Sequence, residues 1–314
     1  MNTPILRRKA EKPNNMALLG IAAFFIVAFL FLVGAFFVFS NHSSNLVGKC
    51  VAVVTIDQEI TTQSSPPSLF SSGIVGSDEI ASTLRNLNRR NDVGSVLLVV
   101  NSPGGSVVAT KEIYDAYKSL KVPKVSYFRE VAASGGYYVG SAGDYIISEP
   151  NALTGSIGVI TTFSDLSSLF EKIGYNVSVI KSGPYKDIGS PSREMTSSER
   201  EIIQQIVNEI YGEFKGVVEQ NRRGKLNMAL FQNATDGRVM SGRGALNYGL
   251  VDQLGTKYDA LEKAASLANM SYDSVDDIRV CPVYFENSGG SLFGVESFIS
   301  KFYSASSSTS LEYR

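Results

Sequence analysis

The sequence predicts an α/β protein, a mostly parallel sheet flanked by helices, plus one N-terminal transmembrane helix. Three observations carry this: a charge-free apolar run near the N-terminus, continuous rather than alternating apolar runs of strand length, and amphipathic stretches between those runs. A strand covered on both faces reads as an unbroken apolar run, and parallel neighbours need helical crossovers between them.

Residues 17–39, ALLGIAAFFIVAFLFLVGAFFVF, carry no charge. As a helix they span roughly 34 Å, enough to cross a bilayer. A cleaved signal peptide would have an apolar region of about 7–15 residues and a small-x-small site. This run ends in bulky FFVFS, so an uncleaved anchor is expected. Arg7, Arg8, Lys9 and Lys12 precede it against a single Glu11, and the next basic residue is Lys49. That asymmetry places the N-terminus in the cytoplasm of the cell and the remainder outside it. The expected organisation is a cytoplasmic tail (1–15), a single-pass cell-membrane anchor (16–40), a linker (41–49), an extracytoplasmic domain (50–285) and a Ser-rich tail (286–314).

In the domain, VAVVTI (51–56) reads as a strand, and a Ser/Pro/Gly-rich loop leads to an amphipathic helix near 78–90. SVLLVV (95–100) is the next strand, closed by NSPGGS and followed by the helical VVATKEIYDAYKSL, which completes one βαβ step. The pattern continues with KVSYF (124–128), a short helix after Ser134, YIISEP (145–150), SIGVITT, the helix FSDLSSLFEKIG and a strand NVSVIKSG (176–183). TSSER then caps a long amphipathic helix over 197–223, with further helix to about 268.

Composition narrows the function. The chain has 314 residues, 44% hydrophobic, with a net charge of −1 and no basic run beyond the N-terminus. The electrostatic footprint of a nucleic-acid binder is missing. Cys50 and Cys281 form no CxxC and have no nearby histidine, so no zinc or iron–sulfur site, and no other cofactor, is implied. They read either as two buried apolar residues in strands or as a disulfide in an oxidising compartment.

Two motifs can carry chemistry. In VAASGGYY (131–138), Ser134 sits among small residues between a strand and a helix, as an exposed nucleophile on a tight turn requires, although a plain turn has the same composition. In NSPGGS (101–106), two glycines leave backbone amides free to approach an oxyanion. Both end strands of a parallel sheet, where ligands bind. The only histidine, His42, lies in the linker, so a Ser/His/Asp triad is excluded. The remaining base is a lysine, whose ordinary pKa near 10.4 must fall by roughly 3 units to serve near pH 7, a shift that burial supplies. IKSGPYKDIGSPSREM offers Lys181 and Lys186 in a shaped loop.

NSPGGS, AASGGYY, TGSIGV, KSGPYKDIGSPSREMT and DGRVMSGRGALNYGLVDQLG, in this order and spacing, resemble the signal peptide peptidase A family, short membrane-anchored form, over roughly residues 50–285. The resemblance implies a crotonase/Clp-protease-like fold and a Ser-Lys dyad serine protease that cuts remnant signal peptides and other hydrophobic segments. It further implies Ser134 as nucleophile, Lys186 rather than Lys181 as general base, Ser156 as the residue orienting that lysine, and Gly105 with Gly135 as the oxyanion hole. It also implies a homo-oligomer with sites near subunit interfaces, so that Ser134 and Lys186 need not meet within one chain. Arg129 stands where many members of that family carry a small residue just upstream of the serine; with Glu130 it bears on substrate preference and leaves the dyad alone. The alternatives are a crotonase-like acyl-CoA hydratase or thioesterase, and a catalytically inactive oligomeric membrane scaffold.

Overall fold

In the computed structural model, β2 (Val93–Ser102) runs through the middle of the sheet between β1 (Cys50–Ile56) and β3 (Lys124–Ala133), paired in parallel with both. The structure describes residues 48–66 and 73–285, together with five exposed helical positions at 26, 29–31 and 33. Contacts divide the chain into residues 1–48 and 49–314. Most of the expected anchor at 16–40, and all of the two tails, lie outside the described residues. Among the described residues no helix is long and apolar enough to cross a membrane.

Nine of the ten residues of β2 are buried, because helices cover both of its faces. On one face lie α1 (Ser77–Leu87), α2 (Val107–Lys118) and the short α3 (Gly135–Gly140), which contribute Leu84, Ile113, Tyr117 and Tyr137 to a core with Val96, Leu98 and Val100. Later helices are α4 (Ser167–Lys172), α5 (Ser197–Asn221), α6 (Met228–Ala234), α7 (Gly242–Tyr248) and α8 (Lys257–Leu267). On the opposite face Ala260, Ala264 and Ala265 of α8 pack on Leu97, Val99, Val125 and Tyr127. The small alanine face lets that helix approach the sheet closely.

β3 is where the sheet divides. Its first half, Val125–Phe128, pairs with β4 (Tyr145–Ser148), and its second half, Val131–Ala133, pairs with β5 (Leu153–Gly155). Arg129 and Glu130 are the two exposed residues at the changeover. β5 pairs antiparallel with β6 (Val239–Ser241), while β4 pairs in parallel with β7 (Gln253–Leu254). On the far side β8 (Val280–Cys281) lies parallel to β1, and Cys50 and Cys281 are disulfide-bonded with their Cα atoms 5.4 Å apart. The pairing settles the two readings of these cysteines in favour of a cross-link that ties the last strand to the first.

One expected element is absent. Residues 176–183 form no strand and pair with no other segment among the described residues. Val177, Val179 and Ile180 are exposed, Ile180 fully so. Apolar composition makes a strand only where a sheet edge receives it, and no described strand pairs with this segment.

Candidate active site

Gly105 and Ser134 follow adjacent parallel strands; one contact ties the ends of β2 and β3 together, and two more fix the glycine loop after β2 to Ile60. Asn101 accepts a hydrogen bond from the Val131 amide at 3.2 Å. The Ile60 amide donates to Gly104 O at 2.7 Å, and the Ser106 amide donates to Ile60 O at 2.8 Å. With the peptide groups on either side of it fixed to Ile60, Gly105 keeps an amide that donates to no acceptor among the described residues. The loop needs glycine: Gly104 and Gly105 have φ of 102° and 150°, and a Cβ on Gly105 would collide with the Ile60 carbonyl.

Ser134 is held in a conformation that L-residues avoid, φ 52° and ψ −121°. Such geometry costs about 1–3 kcal/mol and persists where surrounding bonds enforce it. Here the Ser134 amide donates to Gly155 O and its carbonyl accepts from the Tyr138 amide, both at 2.9 Å. Its hydroxyl has no partner among the described residues. The Gly135 amide, at the start of α3, is also uncommitted.

Two cavities meet at Ser134. One, of about 350 Å³, is walled by Val107, Val108, Tyr138, Ile210 and Phe214, with Gly105 and Gly135 beside the serine. The other, of about 750 Å³, holds Ser156, Gly158, Tyr211 and Asp236 along with Ser134 and Gly105. Ser156 is itself at φ 50°, with its amide donating to Arg238 O at 2.8 Å and its hydroxyl unpaired among the described residues. The mid-section of α5 forms a wall of both cavities. The arrangement places an unpaired hydroxyl next to two free amides and an apolar hollow, which suits attack on a carbonyl whose oxygen becomes negative.

Ser134, Gly105, Gly135 and Ser156 therefore share one region, and Lys186 does not join them. It sits exposed on a turn at 182–189 and lines neither cavity, and its Nζ has no partner among the described residues. Lys181 is engaged elsewhere, donating to Asp187 at 2.6 Å and to Pro184 O at 3.0 Å. The sequence reading singled out the loop of Gly104 but gave that residue, whose backbone touches Ser134, no role of its own, and it missed the α5 residues Tyr211 and Phe214. The Pro-Gly-Gly signal marks the first; nothing local marks the others, because helix α5 is distant in sequence.

The sequence pattern of peptidase family S49 matches residues 116–271, and that of Clp protease matches residues 75–154. The chain is similar to a protease-named protein of Methanocaldococcus jannaschii, 40% identical over 218 residues that cover 69% of this chain and 68% of that one. It is similar to an Enterococcus faecium protein named for signal peptide peptidase SppA, 36% identical over 62% of this chain and 57% of that one. Similarity extends to the chloroplastic serine protease SPPA of Arabidopsis thaliana, 29% identical over 70% of this chain and 32% of that one. The chain thus spans about two thirds of the first of these relatives and less of the other two.

Proposed function

Because the chain belongs to peptidase family S49, the signal peptide peptidase A family of serine proteases, we propose that it is a membrane-anchored endopeptidase acting on remnant signal peptides and other hydrophobic segments, with Ser134 and Lys186 as its catalytic dyad. The observation that carries this reading is the strained Ser134, set beside the free amides of Gly105 and Gly135 at the mouth of an apolar cavity. Ser134 Oγ attacks the peptide carbonyl as its proton passes to the neutral Lys186 amine. The carbonyl oxygen takes the negative charge and is met by the two amides. The C–N bond then breaks, the lysine returns the proton to the leaving amine, and an acyl ester remains on Ser134. Water, deprotonated by the same lysine, attacks that ester and frees the serine and a carboxylate. Ser156 orients the lysine. No step needs a cofactor.

The position of Lys186 supports a dyad completed between two copies of the chain. The arm that bears it, residues 157–196, exposes Ile160, Phe163, Leu169, Ile173, Val179 and Ile180, a run of apolar surface that a second copy would cover. A lysine acts as a base only once desolvated, and docking against that copy supplies the burial. The disulfide supports an extracytoplasmic, oxidising location for the domain. Replacing Ser134 or Lys186 by alanine and measuring cleavage of an unstructured hydrophobic peptide tests the reading. Loss of cleavage in both is expected; the parent rate in either overturns it.

A further inference from the structure

The turn that carries Lys186 is enclosed by a chain of four ion-paired side chains that no catalytic role accounts for. Asp187 accepts from Lys181 at 2.6 Å and from two nitrogens of Arg193, at 2.7 and 3.0 Å. Arg193 reaches with the same fork to Glu199, donating to Oε2 at 2.9 Å and also to Oε1. Glu199 in turn accepts from the Thr196 amide at 2.9 Å, closing the capping box that starts α5. Glu199 and Asp187 are largely enclosed, with side chains 2% and 11% exposed. Both carboxyls are held well below their usual range, chiefly by the Arg193 hydrogen bonds.

We propose that Arg193 is a positioning residue for Lys186. By gripping Asp187 and Glu199 at once, it fixes the lysine turn to the first turn of α5 and keeps the adjacent carboxylate away from the Lys186 amine. The inference rests on reading Lys186 as the base. Its physical ground is how the turn is held: its backbone bonds are internal to residues 183–190, Gly189 packs against the Phe163 ring, and Lys186 makes no ion pair among the described residues, so the Asp187 clamp is the turn's charged link to α5. Helix α5 is by contrast anchored at its far end, where the buried Arg222 pairs with Asp252 at 2.9 Å, and its middle walls both Ser134 cavities. One rigid helix thus carries a wall of the serine site and the mount of the lysine. A guanidinium can bridge two carboxylates in one plane, and an ammonium cannot. The clamp also separates the two lysines, because it commits Lys181 and leaves Lys186 free.

The test uses the full chain in detergent, with kcat and KM for a hydrophobic fluorogenic peptide and the mass of the assembly measured for R193A, R193K and D187N. Misplacement of a catalytic group is expected to lower kcat of R193A on the order of tenfold to a hundredfold, with KM within about twofold and mass unchanged. R193K recovers part of the loss. D187N, which replaces a carboxylate by an amide of the same shape, reproduces it even if R193A fails to fold. Parent kcat in R193A or D187N overturns the proposal, as does a kcat loss matched by a KM rise or by dissociation. K186A is measured alongside: if it is active, the dyad itself fails, whereas inactive K186A with fully active R193A removes only the clamp.

Discussion

Gly104 packs directly against Ser134: a Cβ added to Gly104 would come within 2.9 Å of Ser134 Cβ and 2.6 Å of the Gly135 nitrogen. The glycine loop after β2 is therefore the floor on which the strained serine turn rests, and the two sequence motifs form one object. Gly104→Ala would add both this clash and a side chain at φ 102°. The expected result is a fall in labelling of Ser134 by a fluorophosphonate of at least about a hundredfold, in a protein whose circular dichroism is unchanged.

The apolar hollow predicts a change in substrate binding that leaves the fold intact. Val108 lines it and is 60% exposed, so Val108→Asp removes no core contact. It should raise KM for a hydrophobic peptide roughly tenfold, in line with one side chain's worth of lost apolar contact plus a desolvated charge, while Tm stays within a few degrees.

Arg222 is fully buried, bonded to Asp252 and to Gly249 O. Arg222→Ala removes the buried partner of Asp252 and leaves that carboxylate to the half-exposed Lys225, and should cost about 3 kcal/mol in denaturant unfolding. Burial pushes the Asp252 carboxyl up, but Arg222 and Lys225 more than offset this and hold it below its usual value. A depressed folded pKa contributes stability above the unfolded value of about 3.9 and loses it as pH falls through the folded one. The wild type should accordingly lose stability more steeply than Arg222→Ala as pH is lowered below about 4.

The Cys50–Cys281 bond ties β8 to β1 across 231 residues of sequence. Cys281→Ser, or reduction, should lower stability by about 2–5 kcal/mol, read as a drop in Tm that is absent when the variant is itself treated with reductant.

What the sequence made legible follows from where its residues sit. SVLLVV announced a central strand because helices on both faces let every position be apolar, and VAASGGYY announced a turn because only small residues fit between Gly104 and the start of α3. The Val177–Ile180 run misled because its apolar surface has no partner strand among the described residues. The pairing of Cys50 with Cys281 stayed open until β8 was found beside β1. Asp187, Arg193 and Glu199 drew no notice, since charges in a loop are solvated in most proteins and only the fold shows Asp187 and Glu199 enclosed with Arg193 bridging them.

The account's central claim is that Ser134 of one copy works with Lys186 of another, and subunit mixing tests it most directly. Ser134→Ala and Lys186→Ala variants, each inactive alone, are co-expressed and assayed for cleavage of a hydrophobic peptide. The account predicts that the mixed assembly regains activity, because some interfaces then pair an intact serine with an intact lysine. Mixed assemblies, verified by mass, that stay as inactive as either variant alone would contradict it.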